Sequence, residues 1–352
     1  MISNDNKYNI IENDYVRDIL DQPRALEATL RGLSVPEGFS QIFGRIRKRE
    51  IGRIVLTGMG SSFHALHPLH ARLAAAGLCT VMIETSELLY YFPSLLDDRS
   101  LVVAVSQSGQ SAEVVRLLEI NRGKSSVIAI TNTPGSPLAE HSDATILSRA
   151  GEEFSVSCKT YLTALMALQW LGDVLCDRDL RHTQQELKAA SPAVRDYLAH
   201  WKEHVQSLAQ MLRGTRHLFL VGRGASLAAV GTGALIVKES DHFHAEGMSS
   251  AAFRHGPFEM LSDETFVLVF AGEHKTRELN RRLFEDVRGQ RGRAEFVGEG
   301  AAFPPCNLPS APRSIHPILE ILPVQMVTLA LAAQVGREPG RFELASKVTT
   351  KE

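Results

Sequence analysis

The chain has 352 residues, room for about two domains, and its 44% hydrophobic and 22% charged content is that of an ordinary globular protein. Its 38 basic and 40 acidic residues are well mixed and give a net charge of −2, so neither nucleic acid nor an anionic membrane is an expected partner. The acidic, polar N-terminus (Asn4-Asp5-Asn6, then Glu12 and Asp14) has no signal-peptide pattern, and apolar stretches such as 319–333, broken by Glu320, Pro323 and Gln325, read as too short to span a membrane.

In chain order, residues 18–32 read as a helix interrupted at Pro23, followed by a turn at Pro36-Glu37-Gly38. An alternation then begins: a strand at 54–57, a helix at 62–76, strands at 80–84 and 101–105, a helix near 111–121, and strands at 126–131 and 144–147. Short apolar strands alternating with helices predict a doubly wound parallel sheet. Residues 159–175 are apolar on nearly every face, which predicts a helix packed between layers or against another subunit. A polar helical stretch at 183–212 leads to strands at 218–221, 265–271 and 293–297 and a helix at 319–335.

The pattern is written twice. Residues 54–65 match 218–229 at an offset of 218 − 54 = 164, and the same offset lays the run 101–105 on 265–269. The residues after those two runs differ: Ser106-Gln107-Ser108-Gly109-Gln110-Ser111 in the first copy, Phe270-Ala271-Gly272-Glu273-His274-Lys275 in the second. This predicts one anion site per chain.

Ser106–Ser111 lies between a buried strand and a helix. Ligands gather beyond the carboxyl ends of parallel strands, and a helix N-terminus offers unpaired N–H groups and a positive dipole end. Three serine hydroxyls add donors without bulk, so the expected guest is a phosphate; the alternative is that they only cap the helix. Ser61 and Ser62 read as hydroxyls facing the same site. Gly58-Met59-Gly60 lacks the third glycine of a dinucleotide fingerprint, because Phe63 stands there. His64, His67 and His70 recur every three residues, but no carboxylate or cysteine joins them, so they read as solvated or core histidines and no metal is expected. Glu239 and His255, 255 − 239 = 16 residues apart, are a carboxylate and a base of the kind that shuttles a proton between sugar carbons and protonates a ring oxygen, but spacing alone proves nothing, and by the residues alone a surface Glu in a helix and a His before a turn are the preferred reading. Cys79, Cys158, Cys176 and Cys306 show no framework spacing; the apolar contexts of Cys79 and Cys176 predict buried packing, and the compartment expected is a reducing cytoplasm.

These residues resemble a known family. Gly60-Ser61-Ser62-Phe63-His64-Ala65, Ser106-Gln107-Ser108-Gly109, Thr131-Asn132, Glu153 through Lys159-Thr160-Tyr161, Lys238-Glu239, His244-Ala245-Glu246, Arg254-His255-Gly256-Pro257 and Leu344-Ala345-Ser346-Lys347-Val348-Thr349 are similar, in order, to the paired sugar-isomerase (SIS) domains of glucosamine-6-phosphate synthase and its relatives without a glutaminase domain. The resemblance implies two tandem doubly wound α/β domains with flavodoxin-like layers: an N-terminal helical segment at 1–40, a first, phosphate-binding domain at 41–182, a linker helix at 183–213, a second domain at 214–340 and a tail at 341–352 closing over the site. It implies that Ser106, Gln107, Ser108 and Ser111 hold the phosphate, with Ser61 and Ser62 near the sugar. Glu239 would move the proton between carbons 1 and 2, His255 would assist ring opening from a neighbouring subunit, and Lys347 would contact the open-chain sugar near carbon 2. No cofactor is implied, and the partners expected are a phosphorylated sugar or aminosugar and further copies of the chain, as a homodimer or larger homo-oligomer.

The chain departs from the synthase at four places. It begins Met1-Ile2 and its first cysteine is Cys79, so the N-terminal Cys nucleophile of a glutaminase is not expected. Ile236 stands where the synthase has a lysine three positions before the Glu, the tail lysine is one position later, and Val156-Ser157-Cys158-Lys159 is one residue shorter. The expected function is an aminosugar-6-phosphate deaminase or isomerase; the alternatives are a deglycase acting on a phosphorylated Amadori-type adduct and a non-catalytic phosphosugar-binding regulator.

Overall fold

The computed structural model describes residues 9–344 and 346–349. The chain forms two compact units: one from Arg24–Glu152, Lys159–Lys188 and the tail from Leu344, the other from the residues up to Pro23 with Glu153–Cys158 and Ala189–Glu343.

The unit holding the first copy contains a five-stranded, fully parallel sheet of β1 (Arg53–Gly58), β2 (Thr80–Glu84), β3 (Ser100–Val105), β4 (Ser126–Thr131) and β5 (Ala144–Leu147), in the order β2-β1-β3-β4-β5. Its central strands are covered on both faces and therefore read as unbroken apolar runs. Val55, Val102, Ala104, Val127 and Ala129 pack with Leu88, Leu89, Val114, Leu117 and Leu138 from the covering helices. The helix Lys159–Leu175 buries every residue but Gln169. Gly172 lets it approach the helix His67–Ala75, since a Cβ there would lie 2.9 Å from Arg72 Cδ and 3.1 Å from Leu69 Cδ1. Beside it Arg72 pairs with the buried Asp173, whose other oxygen accepts from Thr183 Oγ1 at 2.9 Å, and that extra bond offsets part of the cost of burying the carboxylate.

The other unit repeats the scheme with β6 (His217–Gly222), β7 (Ala245–Ser249), β8 (Thr265–Phe270) and β9 (Arg293–Val297), ordered β7-β6-β8-β9. Both orders place a topological switch point beside the first strand, between β1 and β3 and between β6 and β8.

Several expectations need correction. Strand pairing sets Arg53 against Ser100 in one sheet and His217 against Thr265 in the other, so β3 and β8 correspond at 265 − 100 = 165, not 164. The extra residue lies before β7, since Thr80 of β2 and Ala245 of β7 already differ by 165 while β1 and β6 differ by 164. Beyond the strands the offset does not hold: the loop after β8 is three residues shorter than the loop after β3, and Glu273 takes the helix N-cap that Ser111 takes in the first copy. β7 itself carries no apolar signal in the sequence: Gly247 sits where a Cβ would collide with the Val230 carbonyl. The helix expected at 62–76 is two, Gly60–His64 and His67–Ala75, and the stretch 183–212 is three, Leu180–Leu187, Ala190–Leu198 and Trp201–Met211. Pro23 interrupts nothing. It occupies the first turn of Gln22–Gly32, where its missing N–H is not needed, and the break falls before it, after Asp14–Leu20. Cys79 is exposed and Cys176 half-buried, whereas Cys158 and Cys306 are buried; Cys79 leads into the edge strand β2, which has a neighbour on one side only. Finally, the apolar stretch near the C-terminus is longer than its interruptions suggested. Arg313–Val335 is 23 residues long and contains an 18-residue window of mean hydropathy 1.7, enough by length and composition to cross a membrane, but 89% of that window is buried inside the fold.

Candidate functional site

The loop after β3 is fixed by its own backbone. Ser106 N–H donates to Ile130 O (3.0 Å), and Gln107 O accepts from Asn132 N (3.0 Å), Thr131 Oγ1 (3.2 Å) and Thr133 Oγ1 (3.3 Å). Gly109 O accepts from Leu138 N at 3.0 Å. Gly109 has φ +63°, and a Cβ there would overlap the Ser136 side chain and lie 3.0 Å from Thr131 Oγ1, so only glycine fits. Within the turn Ser106 Oγ accepts from Gly109 N (3.1 Å) and Ser108 Oγ from Gln110 N (3.3 Å). Both serines are buried, and a hydroxyl that accepts keeps its hydrogen to donate. Ser111 occupies the N-cap of the helix Ala112–Asn121 without making a side-chain cap bond. Simple capping therefore does not account for these hydroxyls.

β1 and β3 are paired up to Gly58 and Val105, so the loops carrying Ser61-Ser62 and Ser106–Ser111 leave neighbouring strand ends at the switch point. Ser61 and Ser62 are half-buried on the short helix Gly60–His64. The tail belongs to the same unit: Thr349 O accepts from Ala112 N at 3.1 Å, in the first turn of the helix that the serine loop opens, and Lys347 is half-buried two residues before it. Ala345 and residues 350–352 lie outside the described residues.

The three histidines do not converge. His64 and His67 stack with ring centroids 6.2 Å apart, and His70 Nδ1 shares a hydrogen with Thr80 Oγ1 at 2.8 Å. Burial, then the neighbouring His64 and His70, lowers His67 to about 4, so its ring is neutral at physiological pH. No group of three or more metal-ligating side chains occurs among the described residues.

Glu239 and His255 lie in the other unit. Glu239 is half-buried in the last turn of the helix Leu227–Asp241, and one turn earlier Ile236 is fully buried. Two residues that sequence reasoning missed belong to this neighbourhood. Tyr15 is fully buried, its hydroxyl accepting from Thr328 Oγ1 at 3.2 Å. Burial pushes it well above the ordinary tyrosine range, and Cys158, Asp241 and Glu239 push the same way. Asp241, at the end of the Glu239 helix, is raised by burial against the opposing pull of the Arg337 guanidinium. Tyr15 is 224 residues from Glu239 (239 − 15), so no local pattern could have found it; Asp241, two positions on, is set apart only by its burial, which no local pattern carries. His255 is exposed at the C-cap of Ser250–Arg254, ahead of Gly256 at φ +141° and Pro257. Arg254 beside it pairs with Asp286.

A family model described as "SIS domain" matches residues 47–172 and 211–293. Among curated proteins, the chain is 30% identical over 352 residues to a glutamine--fructose-6-phosphate aminotransferase [isomerizing] of Pyrococcus horikoshii and 28% identical over 365 residues to one of Streptomyces coelicolor. These matches cover 97% and 96% of the chain but 58% of each relative, so the chain spans a little over half their length. Among solved structures, the C-terminal domain of glucosamine-fructose-6-phosphate aminotransferase from Francisella tularensis superposes with a TM-score of 0.80 at 21% identity, covering 92% of this chain and 96% of that one. Glucosamine-6-phosphate deaminase from Thermotoga maritima gives 0.77 at 19%, covering 96% and 100%. Tagatose-6-phosphate ketose/aldose isomerase from Escherichia coli gives 0.73 at 20%, covering 95% and 96%. At these identities the structural likeness establishes the fold.

Proposed function

The chain belongs to the SIS domain family, and from that premise we propose that it is an aminosugar-6-phosphate deaminase or isomerase. The observation that carries the reading is the serine turn. Two buried hydroxyls and an N-cap hydroxyl with no capping bond stand at a helix N-terminus beyond the carboxyl end of β3, which is how a phosphate dianion is held without a metal.

In this reading Ser106, Gln107, Ser108 and Ser111 hold the phosphate, and Ser61 and Ser62 contact the sugar. Glu239 takes the proton from carbon 2 of the open-chain aminosugar and returns it to carbon 1, which converts the amine at carbon 2 to an imine. Water then adds to that carbon and ammonia leaves, giving a ketose phosphate. His255 protonates the ring oxygen as the ring opens, acting in the site of a neighbouring copy of a homodimer or larger assembly; its exposure supports this. Lys347 contacts the sugar near carbon 2.

A second reading, a deglycase that releases an amino acid or primary amine from a phosphorylated Amadori-type adduct, is favoured by Ile236. Its buried aliphatic side chain puts no second amine beside the base where the synthase has a lysine. Incubation with a panel of aminosugar phosphates and phosphorylated Amadori adducts, assayed for ammonia and for released amine, separates the two: ammonia is expected, and amine release alone would favour the deglycase. Release of neither from any substrate would contradict both.

A further inference from the structure

The second copy has its own switch point, between β6 and β8, and its chemistry is the reverse of the serine loop's. Glu273 occupies the N-cap of the helix His274–Gly289, the place that Ser111 takes in the first copy. Its Oε1 lies 3.5 Å from the position a Cβ on Gly224 would take, in the loop after β6. A helix N-terminus that already carries a carboxylate does not attract an anion.

Buried acceptors lie around the same turn. Ser226 donates to Glu320 Oε1 at 2.7 Å, which leaves Glu320 Oε2 buried with no hydrogen-bond partner among the described residues. Asn280 donates through Nδ2 to Ala271 O at 3.1 Å, which leaves its Oδ1 in the same condition. Glu320 is 5% exposed and Asn280 0%. Their attachments meet at Gly272: a Cβ there would lie 3.2 Å from Asn280 Nδ2, 3.4 Å from Thr276 Oγ1 and 3.6 Å from Ser226 Oγ. An amide oxygen can only accept, and so can the Glu320 carboxyl once it is ionised, so the complement of the pair in that state is a donor, and beside two carboxyl groups a cationic one. Arg223 is near in sequence, but no hydrogen bond joins it to either acceptor, and Lys275 is held outside, paired with Glu273 at 3.0 Å.

We propose that the β6/β8 switch point is a second ligand site, which takes a small ammonium group: ammonium itself or the –NH3+ of a primary amine. Glu320 is the primary acceptor, Asn280 and Ser226 complete the polar lining, and Glu273 supplies the second negative charge. Burial pushes Glu320 up to about 7, opposed by the Ser226 hydrogen bond and aided by Glu273. A cation favours the ionised carboxyl, so binding strengthens as pH rises through that value.

The test is the thermal midpoint of the full chain, without sugar, in ammonium or methylammonium chloride against sodium and tetramethylammonium chloride at equal ionic strength. The two small ammonium ions should raise the midpoint saturably and the controls should not. Glu320→Gln, which keeps the Ser226 bond, should weaken ammonium binding roughly tenfold or more, the worth of one charge-assisted hydrogen bond. Glu273→Gln, at an exposed position that the core does not need, should weaken it several-fold, and Glu239→Gln should leave it unchanged. An ammonium effect equal to sodium's, or one that survives intact in either the Glu320 or the Glu273 variant, would overturn the proposal.

Discussion

Ser108 and Gly109 show how little of the serine turn is free to vary. Gly109 is fixed by φ +63° and by the Ser136 side chain, and Ser108 by burial and by the Gln110 N–H it accepts. Ser108→Asp puts a carboxylate where the phosphate would sit, and like charges repel strongly in a partly buried place. It should abolish substrate binding, measured by calorimetry, with the circular dichroism of the folded chain retained; unchanged affinity would move the phosphate elsewhere. Glu320 makes a second prediction. Its carboxyl keeps its proton up to about pH 7 in the folded chain but loses it near the ordinary 4.5 when unfolded. The folded state therefore binds more protons between those values, and stability should fall by about 3 kcal/mol as pH rises across them. Urea unfolding at several pH values should show that slope, and Glu320→Gln should remove it. The serine turn was legible because its residue types and its place after an apolar run coincide. Tyr15, Asp241 and Glu320 were not, since what distinguishes them is burial, which only the tertiary structure creates.

Elements whose local pattern and burial agree were readable. β1, β3 and β4 are short apolar runs covered on both faces, and Lys159–Leu175 was placed at its observed ends because a helix buried all round has no polar face to confuse its limits. β7 was hidden because Gly247 answers to the crossing Val230 carbonyl and not to a hydrophobic period, and a loop after β8 three residues shorter than the loop after β3 puts Glu273 at the N-cap that Ser111 takes in the first copy. Gly247→Ala tests that account. Forcing a Cβ against a backbone carbonyl should cost roughly 1–3 kcal/mol, read as a lowered urea midpoint with unchanged slope; an unaffected midpoint would show that the helix Leu227–Asp241 gives way freely. The split of 183–212 into three helices and the exposure of Cys79 depend on how segments pack, and no periodicity in the sequence carried them.

At the scale of the molecule, the two copies of an α/β unit keep one fold and carry different side chains at their switch points. One unit carries the serine turn and the lysine of the tail, the other carries Glu239, His255 and a switch point lined with acceptors. The family and the tandem architecture were legible because motifs from both copies occur in order; the reaction was not, because that depends on contacts to a substrate. The central claim is that Glu239 moves a proton between sugar carbons, and it is tested most directly by turnover in heavy water. The wild-type protein should place deuterium on carbon 1 or 2 of the sugar phosphate. Glu239→Gln keeps the shape but loses the base, so its turnover should fall by about 10²–10⁴-fold with affinity nearly unchanged, and the exchange should vanish. Normal turnover in Glu239→Gln, or deuterium still entering the sugar, would contradict the account and assign the proton transfer to another residue.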